Sequence, residues 1–263
     1  MSSSNLLQPL HEARLNQLGI GEPIRQVSNE QIERLLQSMD GCQFERRAQP
    51  IGSLGEGAYG RVDVYRIEKC QVAVKSGHGG KSLHEEAQVH WRATQCQKCS
   101  HTKHIVPLLM SYYCANTNRL LLVLPVYTHG TLHDEIQRLR KQNADPAAYV
   151  ILLNKRRRQG VDALRWLHKQ CRIVHNDAHE ENWFVTDADS IVLADFGEAR
   201  LAEEYRSQAQ FDKMCQYELL GFERSLAADR DEKRDLQQRL NRLEHEITKD
   251  KSLAKDIAGR PVL

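Results

Sequence analysis

The chain has 263 residues, 40% hydrophobic and 27% charged, with a formal net charge of +2. This length can bury one sizeable core or two lobes, and so small a net charge argues against a nucleic-acid-binding protein. The seven scattered cysteines, an odd number, favour free thiols in a reducing compartment over a disulfide framework. The first residues lack the basic and apolar regions of a classical signal peptide. No window approaches about eighteen apolar residues, so no membrane span is expected.

The chain opens with a Ser-rich stretch, residues 1 to about 27, that is sparse in apolar residues and is expected to be a loose leader. A capping-box pattern at Ser28 and Gln31 then precedes an apolar helical stripe that ends near Gly41. We expect this helix to dock on the main body, so that residues 1–48 comprise a leader and a docking helix. The stripe consists of Ile32, Leu35, Leu36 and Met39.

Residues 51–75 predict a sheet with a glycine-rich turn, Gly55-Glu56-Gly57-Ala58-Tyr59-Gly60. Glycines let the backbone approach a triphosphate closely and donate N–H groups to it. The residues after the turn alternate like a strand, whereas a dinucleotide-binding fold would place a helix there. The run ends at Val72-Ala73-Val74-Lys75, and residues 81–94 follow as an amphipathic helix that carries Glu85 and Glu86.

Four residues with metal-binding side chains come next: Cys96, Cys99, His101 and His104. Only one residue separates Cys99 from His101, which is much tighter than the spacing of zinc fingers. We therefore favour a polar loop with free thiols over a zinc site.

The middle of the chain predicts a buried strand and a long helix. Residues 120–124 are uniformly apolar and lead into Pro125 and Tyr127. Residues 149–169 are mostly helical in pattern. Their basic run at residues 155–158 is interpreted as a solvated helix face.

Polar residues with phosphoryl-transfer chemistry are concentrated in residues 175–197. The segment contains His175-Asn176-Asp177, then Asn182, then Asp195-Phe196-Gly197. Two short apolar runs with a turn at residues 187–190 predict a hairpin that carries Asp195 back beside Asn182. One Asp can accept the proton of an attacking hydroxyl, while the Asn and the second Asp hold Mg²⁺ against the phosphates.

The order and spacing of these motifs resemble the protein kinase family, whose signature is H-R-D-L-x-x-x-N followed by D-F-G. The resemblance implies an enzyme that depends on ATP and Mg²⁺. It implies that Asp177 is the catalytic base and that Asn182 and Asp195 are the metal ligands.

The resemblance also implies a nucleotide site in the first lobe. Lys75 would pair with the α- and β-phosphates, positioned by a Glu on the following helix. Glu86 fits the family's register best, and Glu85 is the alternative. At the end of the later strand, the Pro125 carbonyl would accept from the adenine amino group and the Tyr127 N–H would donate to the ring. The other implied nucleotide contacts are Gly55, Gly57, Gly60, Val62, Ala73 and Leu124.

Two departures from the family pattern bear on regulation and on substrate. Asn176 stands where the family has Arg, so a phosphorylated activation loop has no such Arg to bind, and activity is not expected to need loop phosphorylation. His179 replaces the lysine that contacts the transferred phosphate and is expected to donate in its place. Asp-x-His-x-x-Asn also occurs in small-molecule kinases that modify antibiotics or choline, so this alternative stays open.

The implied fold is α+β, a two-lobed protein-kinase-like fold with a reduced C-terminal lobe and extra helices at both ends. No Ala-Pro-Glu follows Gly197, and one helix over residues 211–222 is expected to close the core. We place a minimal kinase domain at 49–225, with an N-lobe at 49–126 and a C-lobe at 127–225. The truncation, the Ser-rich start and the non-Arg catalytic loop resemble the small kinases that bacteria inject into host cells through a type III system.

Residues 226–263 predict a charged C-terminal helix. Leu236, Leu240, Leu243 and Ile247 form one apolar stripe at four-three-four spacing. Packing on the chain's own lobe and pairing with another chain both stay open.

The sequence therefore predicts a serine/threonine-protein kinase that uses ATP and Mg²⁺, and the effector resemblance implies a host protein as its substrate. Two alternatives remain, a small-molecule phosphotransferase and a nucleotide-binding pseudokinase that acts as a scaffold. We expect the protein in the cytoplasm, or secreted into a host cell without a classical signal peptide.

Overall fold

The computed structural model describes residues 29–37, 39–57, 60–77, 83–98, 100, 103–114, 119–142, 145–186 and 188–249. The expected leader, Ser28 of the capping box, Cys99, His101 and the last part of the C-terminal stretch lie outside these residues. The chain divides into two compact units. One comprises Met1–Thr94 and Val106–His129, and the other Gln95–Ile105 and Gly130–Leu263. The fold is the two-lobed, kinase-like α+β fold that the sequence predicted.

The first unit is built on a five-stranded antiparallel sheet. Its strands are β1 (Gln49–Gly57), β2 (Gly60–Ile67), β3 (Cys70–Ser76), β4 (Met110–Cys114) and β5 (Arg119–Pro125), in the spatial order β1-β2-β3-β5-β4. Successive side chains of a strand point to opposite faces. Val72 and Val74 therefore lie on one face of the sheet, and Ala73 and Lys75 lie on the other.

Two short helices, α1 (Asn29–Gln37) and α2 (Gly41–Arg47), cover the first of these faces. The prediction of one helix that ends near Gly41 is wrong, because a new helix begins there. Asp40 accepts a hydrogen bond of 2.7 Å from the Gln43 N–H, and the Gln43 side chain returns one to the Asp40 N–H. The shared core includes Ile32, Leu36, Met39, Phe44, Ile67, Val72, Val74 and Val123.

The helix α3 (Leu83–Lys98) lies on the other face of the sheet. Ala87 packs there with Leu108 and Leu122 in a small apolar cluster. Because Leu122 pairs with Lys75 across β3 and β5, Lys75 shares the face that α3 covers.

The second unit is mainly helical. Its helices are α4 (Leu132–Lys141), α5 (Pro146–Trp166), α6 (Gln208–Ser225) and α7 (Arg230–Lys249), with the short strand pairs β6 (Ile173–Val174) with β9 (Arg200–Leu201) and β7 (Trp183–Val185) with β8 (Ile191–Leu193). The β7–β8 pair confirms the predicted hairpin. Leu243 and Ile247 of α7 pack with Phe211 and Met214 of α6. No helix in the described part of the chain is long and apolar enough to cross a membrane.

The basic run at residues 155–158 does not form a uniformly solvated face, so that interpretation is wrong for Arg156. Its side chain is almost fully buried and makes a bidentate ion pair with Glu135 at 2.7 and 2.8 Å. It also donates to the Asp189 carbonyl at 2.8 Å. Arg156 thereby ties α4 and α5 to the turn of the β7–β8 hairpin.

Candidate active site

In the first unit, Lys75 and Glu86 form a buried ion pair. Lys75 Nζ donates to Glu86 Oε1 at 2.8 Å, and each residue is only 6% exposed. Glu85, the alternative partner, lies on the exposed face of α3. The helical register explains the difference, because Glu86 precedes the buried residues Ala87 and Val89. Burial of both charges makes each dependent on the other, since an unpaired buried charge is costly.

The predicted nucleotide contacts of β2, β3 and β5 share one face of the sheet. Val62 pairs with Lys75 across β2 and β3, and Ala73 pairs with Leu124 across β3 and β5. Directly paired residues project to the same side. Lys75 therefore lies among Val62, Ala73 and Leu124, whereas Pro125 pairs with Val72 and projects to the opposite side. The structure describes Tyr127 just after β5.

The glycine-rich turn joins β1 to β2 at the edge of this sheet. Gly57 pairs with Gly60, and Gly55 with Val62, so the two strands run almost to the turn itself. Gly60 has φ +147°, and a Cβ there would lie 2.1 Å from the Ser76 carbonyl oxygen. Only glycine fits this position without a shift of the backbone.

In the second unit, Asp177, Asn182 and Asp195 are joined by the catalytic loop, residues 175–182, and by the β7–β8 hairpin. Asn182 Nδ2 donates to the Asp177 carbonyl at 2.8 Å and to Asp177 Oδ2 at 3.0 Å. The Ala194 N–H donates to the Asn182 carbonyl at 2.8 Å. The hairpin therefore brings the residue next to Asp195 against Asn182, as the spacing predicted.

His179 lies beside Asp177. Its Nε2 lies 3.4 Å from Asp177 Oδ1. The hydrogen bond to Asp177 raises the pKa of His179 above its ordinary value, despite the opposing effect of burial. Burial tends to raise the pKa of Asp177, but the hydrogen bond and charge of His179 outweigh it and lower that pKa. The Glu181 N–H donates to His179 Nδ1 at 3.3 Å, so Nε2 is the ring nitrogen that carries a proton toward Asp177.

Asp195 has a left-handed backbone, with φ 60° and ψ 80°, and its Oδ1 accepts from the Gly197 N–H at 3.3 Å. Phe196 is fully buried, and its ring packs edge-on against His175 with centroids 5.0 Å apart. His175 Nε2 is 2.9 Å from the Ala194 carbonyl oxygen. These contacts fix the direction in which the Asp195 carboxylate leaves the hairpin.

Glu218 of α6 holds the start of the catalytic loop. Its carboxylate accepts from the His175 N–H at 3.2 Å and from the Asn176 N–H, and it lies 2.7 Å from His168 Nε2. Burial acts to raise the pKa of Glu218. The His168 hydrogen bond, the neighbouring imidazoles and the Asn176 N–H outweigh burial and lower it below its ordinary value.

Asn176 ties the catalytic loop to the segment after Gly197. Its φ is +66°, a left-handed conformation that Asn tolerates better than most residues. Nδ2 of Asn176 donates to the Glu198 carbonyl at 3.0 Å and lies 3.4 Å from the Tyr205 hydroxyl. An uncharged amide therefore holds this segment where the family pattern has an Arg.

The oxygen donors of the second unit suit Mg²⁺, which prefers carboxylate and carbonyl oxygens. The Asn182 amide directs its nitrogen to Asp177, so a cation bound there would contact Oδ1 of Asn182, and Asp195 would supply a carboxylate. For zinc, no cluster of three or more His, Cys, Asp or Glu side chains with metal-binding geometry occurs among the described residues. Two of the four residues considered for zinc, Cys99 and His101, lie outside that part of the chain.

Sequence reasoning missed Glu218 and His168. The signal for Glu218 was present, since it lies three and four residues from Cys215, Met214 and Phe222, all buried. A lone carboxylate within the apolar stripe of a helix indicates a buried acceptor with N–H partners nearby. Nothing in the sequence identified those partners.

The comparisons with known proteins agree with this geometry. Residues 49–218 match the protein kinase domain model, which covers more than half of the chain. The chain therefore belongs to the protein kinase family.

Individual relatives are distant. The chain is 29% identical over 156 residues to NUAK family SNF1-like kinase 1 of Homo sapiens, covering 58% of this chain and 22% of that kinase. It is 29% identical over 164 residues to cyclin-dependent kinase 4 of Xenopus laevis, covering 58% of this chain and 49% of that kinase. It is 28% identical over 151 residues to the serine/threonine-protein kinase stk11 homolog of Dictyostelium discoideum, covering 56% of this chain and 25% of that kinase. The match thus spans about half or less of the length of each of these relatives.

We expect Glu218→Gln to destabilise the protein at neutral pH by about 1–3 kcal/mol, because the new amide nitrogen would face N–H donors. The folded-state pKa of Glu218 lies below its ordinary value of 4.5, so its carboxylate contributes full stability above that pH. This contribution is lost as the pH falls through the folded-state pKa. Urea unfolding between about pH 3 and pH 7 should show a shallower acid dependence in the variant.

The control is Glu246→Gln on α7, a carboxylate whose side chain is 62% exposed. It should leave both the stability and its acid dependence nearly unchanged. If the free energy of unfolding depends on pH equally in wild type and Glu218→Gln, the result would contradict the role given to Glu218.

Proposed function

We propose that the chain is a protein kinase that transfers the γ-phosphoryl group of ATP to Ser or Thr hydroxyls of a protein substrate. The observation that carries this proposal is the hydrogen-bonded group of Asp177, His179 and Asn182, followed by Asp195 at the end of the hairpin. The family match supports the use of ATP and Mg²⁺ in general. One relative is named a serine/threonine-protein kinase, which supports the hydroxyl class.

In the proposed mechanism, Asp177 accepts the proton of the attacking hydroxyl as the hydroxyl oxygen bonds to the γ-phosphorus. The bond between that phosphorus and the oxygen bridging it to the β-phosphate breaks, and ADP leaves. The lowered pKa of Asp177 keeps its carboxylate ionised and hydrogen-bonded by Asn182, so that it orients the hydroxyl before transfer. His179, which lies 3.4 Å from Asp177, donates a hydrogen bond to the transferred phosphoryl group, in place of the usual lysine. Lys75, held by Glu86, binds the α- and β-phosphates.

Asn182 and Asp195 are the residues that would hold Mg²⁺ in this proposal. When bound, the cation neutralises charge on the β- and γ-phosphates. The Gly55, Gly57 and Gly60 backbone would cover the phosphates, and Val62, Ala73 and Leu124 supply an apolar surface for the base.

The main alternative is a small-molecule phosphotransferase, which the Asp-x-His-x-x-Asn pattern favours. Radiolabelled ATP distinguishes the two, with eukaryotic protein extract in one reaction and kanamycin or choline in the other. Label in Ser or Thr of extract proteins supports the proposal, and label only in the small molecules overturns it. No transfer, with ATP and Mg²⁺ still bound, would favour a pseudokinase scaffold.

We expect Asp195→Ala to abolish phosphoryl transfer, with a loss of at least about 10³-fold, because it removes a metal ligand from the transition state. Asp177→Asn should reduce kcat as strongly but leave binding of ATP with Mg²⁺ intact. Steady-state kinetics and calorimetric titration with ATP, with and without Mg²⁺, check both results. The matched control Asp212→Ala removes a carboxylate of α6, outside these motifs, and should keep full activity.

We also expect activity without any phosphorylation of the segment after Gly197, because Asn176 holds it through uncharged hydrogen bonds. Treatment with a phosphatase should leave kcat unchanged. Asn176→Gly retains the left-handed backbone but removes the amide, and should lower kcat by about 10-fold through loss of positioning. Activity that disappears with phosphatase and returns on rephosphorylation would contradict this.

We further propose that the protein is a bacterial effector that acts on a host protein. The support is the sequence resemblance to injected kinases, which rests on the truncation, the Ser-rich start and Asn176 in place of Arg, together with the family match. A reporter fusion delivered into host cells only by bacteria with an intact type III system would support this role. Equal delivery without that system would contradict it.

A further inference from the structure

A groove in the second unit lies beside the catalytic loop. It has a volume of about 760 Å³ and is walled by α4, the start of α5 and the connection from α6 to α7. Its apolar surface includes Ile136, Leu139, Tyr149 and Leu153. Glu180, three residues after Asp177, also lines the groove. The hydrogen bonds described above for Asp177 and Asn182 involve none of the residues that line this groove.

The charged side chains around the groove are mostly cationic. Arg140, Arg230 and Lys233 are exposed, and none of them forms an ion pair with a described residue. Arg140 Nε donates to the Tyr149 hydroxyl at 3.2 Å, which holds the guanidinium over the groove. Of the two acidic residues, Asp229 accepts from the N–H groups of Asp231 and Glu232 and so caps α7. Its charge is partly offset by the helix N-terminus.

Apolar surface is also exposed beside the groove on α5, where Val150, next to the groove residue Tyr149, is 39% exposed. Large apolar side chains exposed beside a groove with a charged rim are typical of a protein-binding surface.

The position of Glu180 relates this groove to phosphoryl transfer. Glu180 is three residues after Asp177, so their Cα atoms lie at most about 11 Å apart, a distance that three or four extended residues span. A polypeptide in the groove can therefore present a hydroxyl of the same chain to Asp177.

We propose that this groove binds an acidic segment of the protein substrate, one that carries large apolar residues close to the phosphorylated Ser or Thr. The apolar residues fill the space between α4 and α5, and the carboxylates face Arg140, Arg230 and Lys233. This inference rests on the proposed kinase function and adds a substrate class to it. Rim charges of this kind set the choice of partner and make binding sensitive to salt.

The test uses two fluorescein-labelled peptides, each with one serine and a neighbouring segment of alternating leucine and glutamate, or of leucine and lysine. We expect the wild type to bind the glutamate peptide at least about 10-fold more tightly, by fluorescence anisotropy at low salt. Arg140→Glu combined with Lys233→Glu should reverse this preference. The matched control, Arg158→Glu with Arg239→Glu, makes the same charge change at exposed positions on α5 and α7 outside the groove. This control should keep the wild-type preference for the glutamate peptide.

A wild type without preference, or equal effects of the two double variants, would overturn the inference. Thermal melts of each variant check that it is folded. Because binding is measured without transfer, Asp177→Asn should show the same preference as wild type. Retained preference in a protein that phosphorylates nothing would overturn the kinase proposal alone, and transfer to both peptides without preference would overturn the groove alone.

Discussion

The buried carboxylate of Glu218 fixes the starting point of the catalytic loop. It receives the N–H groups of two consecutive residues, His175 and Asn176, so the chain must leave β6 in one direction. Such consecutive donors are compatible with a left-handed residue at Asn176 and hard to reconcile with a continued strand. The positions of Asp177 and of the Asn176 amide both follow from this anchor.

Uncharged contacts hold the segment that follows Gly197. Asn176 holds Glu198 and Tyr205, β9 pairs with β6, and the Tyr205 ring packs at 5.7 Å from Phe211 of α6. These interactions form when the unit folds, without any modification. A segment organised in this way is a constitutive part of the fold, which agrees with its shortness.

The sequence was informative where a single pattern determines the contact. The register of α3 selected Glu86 over Glu85, and the two apolar runs around residues 187–190 predicted the β7–β8 hairpin. It was uninformative where a partner comes from a distant part of the chain, as for Glu218 with His168. The burial of Arg156 was missed for the same reason, since Glu135 and Asp189 are far from it in sequence. Helix α2 was missed although Asp40 and Gln43 form a capping box, because Gly41 was interpreted as the end of a helix and not as the start of one.

The complete burial of Phe196 has a consequence for inhibitors. A compound that needs the space occupied by this ring must first expel it from its contact with His175, and exposing a phenyl group costs about 1.5–3 kcal/mol. Ligands of that type should therefore lose roughly one to two orders of magnitude in affinity. Compounds that occupy only the sheet face around Ala73 and Leu124 avoid this cost.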